Sequence, residues 1–267
     1  VLISAIKGLA PGPEAPIGPR DDICPYRGLQ IFDEEHAEFF FGRDSDIQRL
    51  IEKLKATRFL AVLGPSGSGK SSLVRAGLIP ALRTGSLPDS HTWAISVLVP
   101  GVHPLTALAA RLLRLYPQDA MQKTLDAMVA DTRTLHLAVS LALADRPTTE
   151  RLVWVIDQFE EVFTLCRDGQ ERAQFPANLL YAALIPDGRS LVVLTMRADF
   201  YPKSAAYPEL AAIMADASPV LLIAGEVHFA HRLDAIRVEE HMLGAAQADA
   251  FGAEFAGGLG IEGRFGV

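Results

Sequence analysis

A glycine-rich loop followed by a lysine and a serine is the stretch whose residue types point most directly to chemistry. It runs from Gly64 to Ser71 and fits the pattern G-x-x-x-x-G-K-[ST]. We expect Gly64, Gly67 and Gly69 to adopt backbone conformations that other residues avoid, so that consecutive N–H groups point at phosphate oxygens. Lys70 is expected to reach the β- and γ-phosphates, and the Ser71 hydroxyl to ligate Mg²⁺. The pattern therefore predicts a site for a nucleoside triphosphate.

Such a loop needs a strand before it and a helix after it, and the sequence offers both. Phe59–Leu63 is an apolar run typical of a buried strand, and the pattern of Ser72–Leu78 is typical of a helix. The positive end of that helix adds to the field that attracts phosphate. The residues expected to contact the nucleotide here are Gly64, Pro65, Ser66, Gly67, Ser68, Gly69, Lys70, Ser71 and Ser72.

A group of acidic residues follows a later apolar run, Leu152–Ile156. Asp157 ends this run, and a carboxylate at the carboxyl end of a neighbouring strand can hold Mg²⁺ directly or through water. The alternative for Asp157 is an ordinary turn or helix cap. Glu160 and Glu161 are both candidates for the base that orients an attacking water, and Glu160 is favoured. The other glutamate then lies at the solvated start of a helix.

A single arginine, Arg197, follows the strand predicted at Leu191–Thr195. Its planar guanidinium can bind phosphate through two parallel hydrogen bonds, which suits a group that distinguishes a triphosphate from a diphosphate. The alternative is an ion pair with Asp199 or with another acid on the surface.

Four apolar runs separated by helical segments predict an α/β fold, with a central, mostly parallel sheet flanked by helices on both faces. The predicted strands are Phe59–Leu63, Trp93–Val99, Leu152–Ile156 and Leu191–Thr195. One helix is predicted over residues 119–144. Pro176 is expected to kink or split the helical segment between the third and fourth strands.

The composition limits the classes of function. Of the 267 residues, 49% are hydrophobic and 21% are charged, which suits a folded domain with a sizeable core. The net charge of −7 gives no overall field that would recruit nucleic acid or anionic lipid. No apolar run approaches the roughly 20 residues that span a bilayer, and two cysteines suit a reducing compartment. We therefore expect a cytoplasmic protein with no membrane partner and no nucleic acid partner.

Five blocks of sequence, taken in order, resemble the novel STAND NTPases, which are signal-transducing P-loop ATPases of the ASCE type related to AAA+ proteins. The blocks are Pro25–Leu29, Phe40–Arg43, Gly64–Ser72, Val155–Phe163, and Leu194–Tyr201 together with Tyr207–Leu210. The resemblance implies a three-layer P-loop NTPase core in which the loop strand lies beside the fourth strand. It also implies that Phe41, Gly42 and Arg43 lie near the adenine and that Arg197 senses the γ-phosphate. A simpler alternative for the phenylalanines is core packing at the entry to a helix.

In functional terms, the resemblance implies Mg²⁺-ATP binding with slow hydrolysis, and ATP, ADP and Mg²⁺ as the bound groups. The nucleotide state would control other domains of a larger chain and self-association on activation. Gln158 stands where many related ATPases have a glutamate directly after the aspartate, which favours weak turnover. A nucleotide-dependent scaffold without significant turnover and a DNA-associated AAA+-like ATPase are the alternatives.

The ends of the chain differ in composition from its centre. Residues 1–22 are rich in proline and glycine and are expected to form a linker from a further upstream domain. Residues 23–222 are expected to form the NTPase core. Residues 223–267 are rich in alanine, glycine and histidine and depart from the family pattern. We expect them to be an incomplete or divergent C-terminal helical lid.

Overall fold

A parallel sheet of five strands organises the chain, in the order β2-β3-β4-β1-β5. The computed structural model describes residues 30–115, 117, 121–216 and 220–221. The predicted linker at 1–22 and the predicted lid at 223–267 lie outside these residues. The strands are β1 (Phe59–Gly64), β2 (Ala94–Leu98), β3 (Leu152–Ile156), β4 (Ser190–Arg197) and β5 (Val220–Leu221).

The four predicted strands are confirmed, with small shifts at their ends. β1 pairs in parallel with β4, as the resemblance implied, and its other neighbour is β5. The strand β5 was not predicted, because a pair of residues carries no readable periodicity. The fold is thus the expected α/β sheet, with the glycine-rich loop leaving one of its inner strands.

Alternate residues of each inner strand point to opposite faces, and helices cover both. On one face, α1 (Asp44–Ala56) and α2 (residues 70–83) pack against Leu60 and Val62 of β1. The helix α2 begins as Lys70–Ser72, continues as a π-helical segment over Leu73–Leu78 and ends as Ile79–Arg83. Such π segments within α-helices are frequent at functional sites.

The opposite face of the sheet carries the remaining helices, which pack against Phe59, Ala61 and Leu63 of β1 and their equivalents on β3 and β4. These helices are α3 (Pro104–Leu115), α4 (Met121–Ala130), α5 (Thr134–Ala142), α6 (Glu161–Thr164), α7 (Gly169–Leu184) and α8 (Pro208–Asp216). The expected three-layer architecture is therefore confirmed.

The predicted single helix over 119–144 is wrong, because the chain turns between α4 and α5. The backbone N–H of Arg133 donates to Asp131 Oδ1 at 2.8 Å, and that of Thr134 donates to the Asp131 carbonyl at 3.1 Å. A short aspartate side chain that bonds the backbone in this way competes with the helical hydrogen-bond ladder. The helix therefore stops and restarts within a few residues.

The helical segment before β4 is interrupted, but not at Pro176. The helix α7 runs without a break from Gly169 to Leu184, with Pro176 buried inside it. The interruption precedes α7, where Asp168 caps the new helix by accepting hydrogen bonds from the backbone N–H groups of Gln170 and Glu171. The N-cap at Asp168 and the burial of Pro176 outweigh the tendency of proline to break a helix.

Short 3₁₀ helices at Glu34–Phe39, Ser90–Thr92 and Ala198–Ala206 complete the described elements. The segment Glu34–Phe39 precedes α1, and Ala198–Ala206 follows β4 directly. No helix among the described residues is both long enough and apolar enough to cross a membrane.

Candidate functional site

The candidate site lies where β1, β3 and β4 end. Gly64 ends β1 and is the partner of Arg197, the last residue of β4. Asp157 comes directly after β3, and its backbone N–H donates to the Leu98 carbonyl of β2. Because parallel strands share a carboxyl edge, these residues lie at the same edge, which is where α/β sheets bind their ligands.

The loop between β1 and α2 has the backbone that a phosphate cradle needs at two of its three glycines. Gly67 and Gly69 have φ values of 76° and 81°, in the left-handed region that favours glycine. The same expectation is wrong for Gly64, which is the extended last residue of β1 and has no positive φ. Its role here is as an acceptor, because its carbonyl oxygen receives a hydrogen bond from Lys70.

Lys70 is buried at the start of α2, with 9% of its surface exposed. Its Nζ donates to the carbonyl oxygens of Gly64 at 3.0 Å and Pro65 at 2.8 Å. Burial lowers the pKa of Lys70, the Glu160 carboxylate acts in the opposite direction, and the Arg197 guanidinium lowers the pKa further. The ammonium is thus held in the loop at some desolvation cost, which an anion bound in the loop would relieve.

The serines of the loop differ in what they contact. The Ser68 side chain is 5% exposed, and its hydroxyl has no hydrogen-bond partner among the described residues. Pro65 and Ser66 are exposed. The Ser72 hydroxyl, in contrast, accepts a hydrogen bond from the Phe32 backbone N–H at 3.1 Å. The Ser68 hydroxyl is therefore buried without a partner among the described residues, whereas the Ser72 side chain holds the segment before α1.

Asp157 is the centre of a buried polar network, with 1% of its surface exposed. Its Oδ1 accepts hydrogen bonds from Ser71 Oγ at 2.7 Å and from Thr195 Oγ1 at 2.6 Å. Its Oδ2 lies 2.9 Å from Arg75 Nη2. The other Nη of the same guanidinium donates to Asp33 Oδ1 at 2.9 Å. This network fixes the position and orientation of the carboxylate.

Ser71 and Asp157 fit a magnesium site. A hydroxyl oxygen and a carboxylate oxygen lie 2.7 Å apart at the start of α2, and Mg²⁺ is commonly held by one or two such oxygens together with substrate phosphates. In addition, Asp157 Oδ2 is buried and, although Arg75 lies close, makes no hydrogen bond of good geometry.

The two candidate bases point to different neighbours. Glu160 Oε2 accepts a hydrogen bond from the backbone N–H of Arg197 at 3.2 Å, and its charge acts on Lys70. Glu161 Oε2 accepts one from the backbone N–H of Gly101 at 3.0 Å, in the segment after β2. The fold therefore brings Glu160, and not Glu161, beside the phosphate loop.

The Arg197 side chain makes the ion pair that the sequence allowed as an alternative. Its Nε lies 3.1 Å from Asp199 Oδ1 and its Nη2 lies 2.7 Å from Asp199 Oδ2. The guanidinium also lies over the Phe200 ring, 5.2 Å from the centroid. Arg197, the predicted sensor, thus lies beside the loop with its guanidinium paired to Asp199.

The segment before α1 lies against the phosphate loop through Arg43. Its Nη1 donates to the Ser68 carbonyl at 3.4 Å, and its Nε pairs with Asp46 Oδ2 at 2.6 Å. Gly42 has a φ of 77°. Phe41 is 53% exposed, which contradicts core packing for this residue, whereas Phe40 does pack against the core. An adenine contact at Phe41–Arg43 stays a prediction.

Three residues of the Asp157 network were not predicted. Thr195 could have been found as the one polar residue of the predicted strand Leu191–Thr195, which is buried on both faces. Arg75 could have been found as a charge within the apolar run of α2. Asp33 carries no local signal, since only the fold brings it to Arg75.

A family model described as Novel STAND NTPase 1 matches residues 25–231. No curated protein matches the chain.

Two solved structures are among those to which the chain is similar. One is the Aeropyrum pernix ORC2 protein (ADPNP-ADP complexes), with 12% sequence identity, a TM-score of 0.49 and coverage of 69% of this chain and 48% of that chain. Another is a Walker-type ATPase of Pyrococcus abyssi, with 14% identity, a TM-score of 0.41 and coverage of 74% and 56%, respectively. The chain thus spans about half the length of these proteins.

Proposed function

The chain belongs to the novel STAND NTPase 1 family, and we propose that it binds Mg²⁺-ATP, hydrolyses it slowly and acts as a nucleotide-controlled signalling switch within a larger multidomain protein. The observation that carries this proposal is the position of Lys70. It is buried in the glycine-rich loop, and the paired Ser71 and Asp157 lie at the same edge of the sheet.

Phosphate binding follows from the groups that the loop presents. Lys70 contacts two neutral carbonyl oxygens, and phosphate oxygens make stronger, charge-assisted hydrogen bonds with an ammonium. The Ser68 hydroxyl and the loop N–H groups supply further donors. We place the adenine near Phe41–Arg43, because Arg43 holds this segment against the loop.

Magnesium is assigned to Ser71 and Asp157, and when bound it neutralises charge on the β- and γ-phosphates. The protein prepares the carboxylate for this role. Thr195 donates to Asp157 Oδ1, and Arg75 lies beside Oδ2. Both contacts hold the Asp157 carboxylate in one orientation.

Hydrolysis is assigned to Glu160, which orients the attacking water and accepts its proton. The backbone N–H of Arg197 holds this carboxylate beside the loop. Turnover is slow in this account because Gln158, directly after Asp157, carries no carboxylate that could serve as a base. Loss of the γ-phosphate then removes contacts to Lys70 and Arg197 and shifts the arrangement of attached domains and self-association.

Two neighbouring glutamates supply a matched test of this assignment. Glu160 and Glu161 each accept one backbone N–H, so Glu160→Gln and Glu161→Gln are similar structural changes. We expect Glu160→Gln to lower the rate of phosphate release from Mg²⁺-ATP at least about tenfold, because it removes the base. Glu161→Gln is expected to keep most of the rate. Equal rates in the two variants would contradict the assignment.

The second candidate function is a scaffold that binds nucleotide without significant turnover, which Gln158 also favours. The same assay separates the two functions. If wild-type protein binds ATP but releases phosphate no faster than Lys70→Ala, the scaffold is the correct description.

A further inference from the structure

The guanidinium of Arg197 is held by a residue two positions along the chain. Asp199 meets it with both carboxylate oxygens, at 3.1 Å from Nε and 2.7 Å from Nη2. This is the bidentate geometry with which arginine also binds phosphate. The pair is open to solvent, since the side chains of Arg197 and Asp199 are 43% and 56% exposed. It can therefore open without unfolding the core.

The Phe200 ring makes a second contact with the Arg197 guanidinium, which is already paired with Asp199. The Arg197 guanidinium carbon lies 5.2 Å from the ring centroid, and Lys203 Nζ lies 4.9 Å from the same centroid. Cations over an aromatic face are attracted to it. The turn from β4 into Ala198–Ala206 thus holds Arg197 through Asp199 and Phe200 together.

This arrangement lies close to where the proposed function places the terminal phosphate. Arg197 is the register partner of Gly64, at the start of the phosphate loop. The charges of Arg197 and Asp199 both act on Lys70. Burial has the largest effect on the pKa of Lys70 and lowers it; in addition, Arg197 lowers this pKa and Asp199 raises it. A γ-phosphate and the Asp199 carboxylate are thus two anions close to one guanidinium.

We propose that Asp199 is a specificity-determining residue that competes with the γ-phosphate for Arg197 and so lowers the preference of the site for ATP over ADP. This inference rests on the proposed function, in which Arg197 senses the γ-phosphate. ATP must displace Asp199 to engage Arg197, whereas ADP has no γ-phosphate and leaves the pair closed. The pair weakens triphosphate binding about two- to fivefold, the range that exposed ion pairs contribute.

The test measures the affinities of ADP and of a non-hydrolysable ATP analogue at fixed Mg²⁺ and ionic strength. Asp199→Asn removes the competing charge and is expected to tighten binding of the ATP analogue about two- to fivefold while leaving ADP affinity nearly unchanged. A matched control exists in the turn between α4 and α5. There, Asp131 pairs with Arg133, also two residues apart, with Nη2 to Oδ2 at 2.7 Å. Asp131→Asn should change neither affinity.

A double-mutant cycle with Arg197→Ala shows whether Asp199 acts through the arginine or by simple repulsion of phosphate. In the Arg197→Ala background, Asp199→Asn is expected to leave the ATP-to-ADP affinity ratio unchanged. If the ratio rises there as much as in the wild type, repulsion explains the effect and the proposal is wrong.

The remaining outcomes separate the inference from the proposed function. If nucleotides bind but Asp199→Asn leaves the ratio unchanged with Arg197 present, the competition is refuted while the nucleotide site stands. If folded wild-type protein binds neither nucleotide, the proposed function itself is refuted, and the inference with it.

Discussion

Removing the positive charge of Arg75 tests how the acidic centre of the site is held. Asp157 is 1% exposed, and its Oδ2 lies 2.9 Å from Arg75 Nη2. An Arg75→Met variant therefore leaves a buried carboxylate without its cation. Breaking a fully buried ion pair in this way costs about 3–5 kcal/mol. Asp157 keeps two hydroxyl donors and the Arg75 side chain is 20% exposed, so we expect a smaller loss of about 2–3 kcal/mol.

The loss can be measured by urea denaturation, with the buried Trp93 and Trp154 as fluorescent reporters. For a domain of this size it corresponds to a decrease in Tm of roughly 4–12 °C. Asp33→Asn is the matched control, because it breaks the other ion pair of the same guanidinium. Asp33 is 46% exposed, so that variant should cost less than about 1 kcal/mol.

A second variant keeps the prediction independent of general damage to the fold. In Arg75→Met/Asp157→Asn the neutral amide no longer needs a cation, so most of the lost stability should return. The reasoning is refuted if Arg75→Met costs no more than Asp33→Asn, or if the double variant is no more stable than Arg75→Met.

Three further predictions concern a close contact at Gly77, the backbone angle of Gln158 and the pKa of Lys70. Gly77→Ala places a Cβ 2.8 Å from Ile47 Cγ1; it should destabilise the protein by about 1 kcal/mol despite the better helix propensity of alanine, and unchanged urea denaturation would contradict this. Gln158 has a φ of 56°, so Gln158→Gly should be about 1 kcal/mol more stable to urea than Gln158→Ala. Burial lowers the pKa of Lys70, so in the free protein it loses its proton at a lower pH than an ordinary lysine. Because phosphate favours the charged form of Lys70, ATP affinity should fall as the pH rises above the pKa of this lysine. Calorimetry in buffers of different ionisation enthalpy should detect proton uptake on binding, and this uptake should grow with pH. Binding without proton uptake in that range would contradict the assignment of Lys70.

The sequence was sufficient to locate the strands and the phosphate loop. Strands of a parallel sheet are buried on both faces, so they appear as continuous apolar runs, as in Leu152–Ile156. The loop motif is local, and its strand and helix lie directly beside it. The position of Asp157 follows from the same rule, because a residue that ends a parallel strand lies at the shared edge.

Features that depend on contacts distant in sequence were not predictable. The side chain of Asp33 meets Arg75 only because the segment before α1 docks on α2, through contacts such as the bond from Phe32 to Ser72. The choice between Glu160 and Glu161 also needed the fold, since both follow Asp157 closely. The helix break at Asp131–Arg133 is a different case, because it depends on a local side-chain hydrogen bond that helix propensity does not report.

The central claim is that the loop around Lys70 binds ATP with Mg²⁺, and titration calorimetry of the wild type and Lys70→Ala tests it most directly. We expect the wild type to bind ATP more weakly when Mg²⁺ is replaced by EDTA, and Lys70→Ala to show no binding while unfolding at a temperature close to that of the wild type. A folded wild-type protein that binds no ATP with Mg²⁺ present, and from which no pre-bound nucleotide can be extracted, would contradict the account.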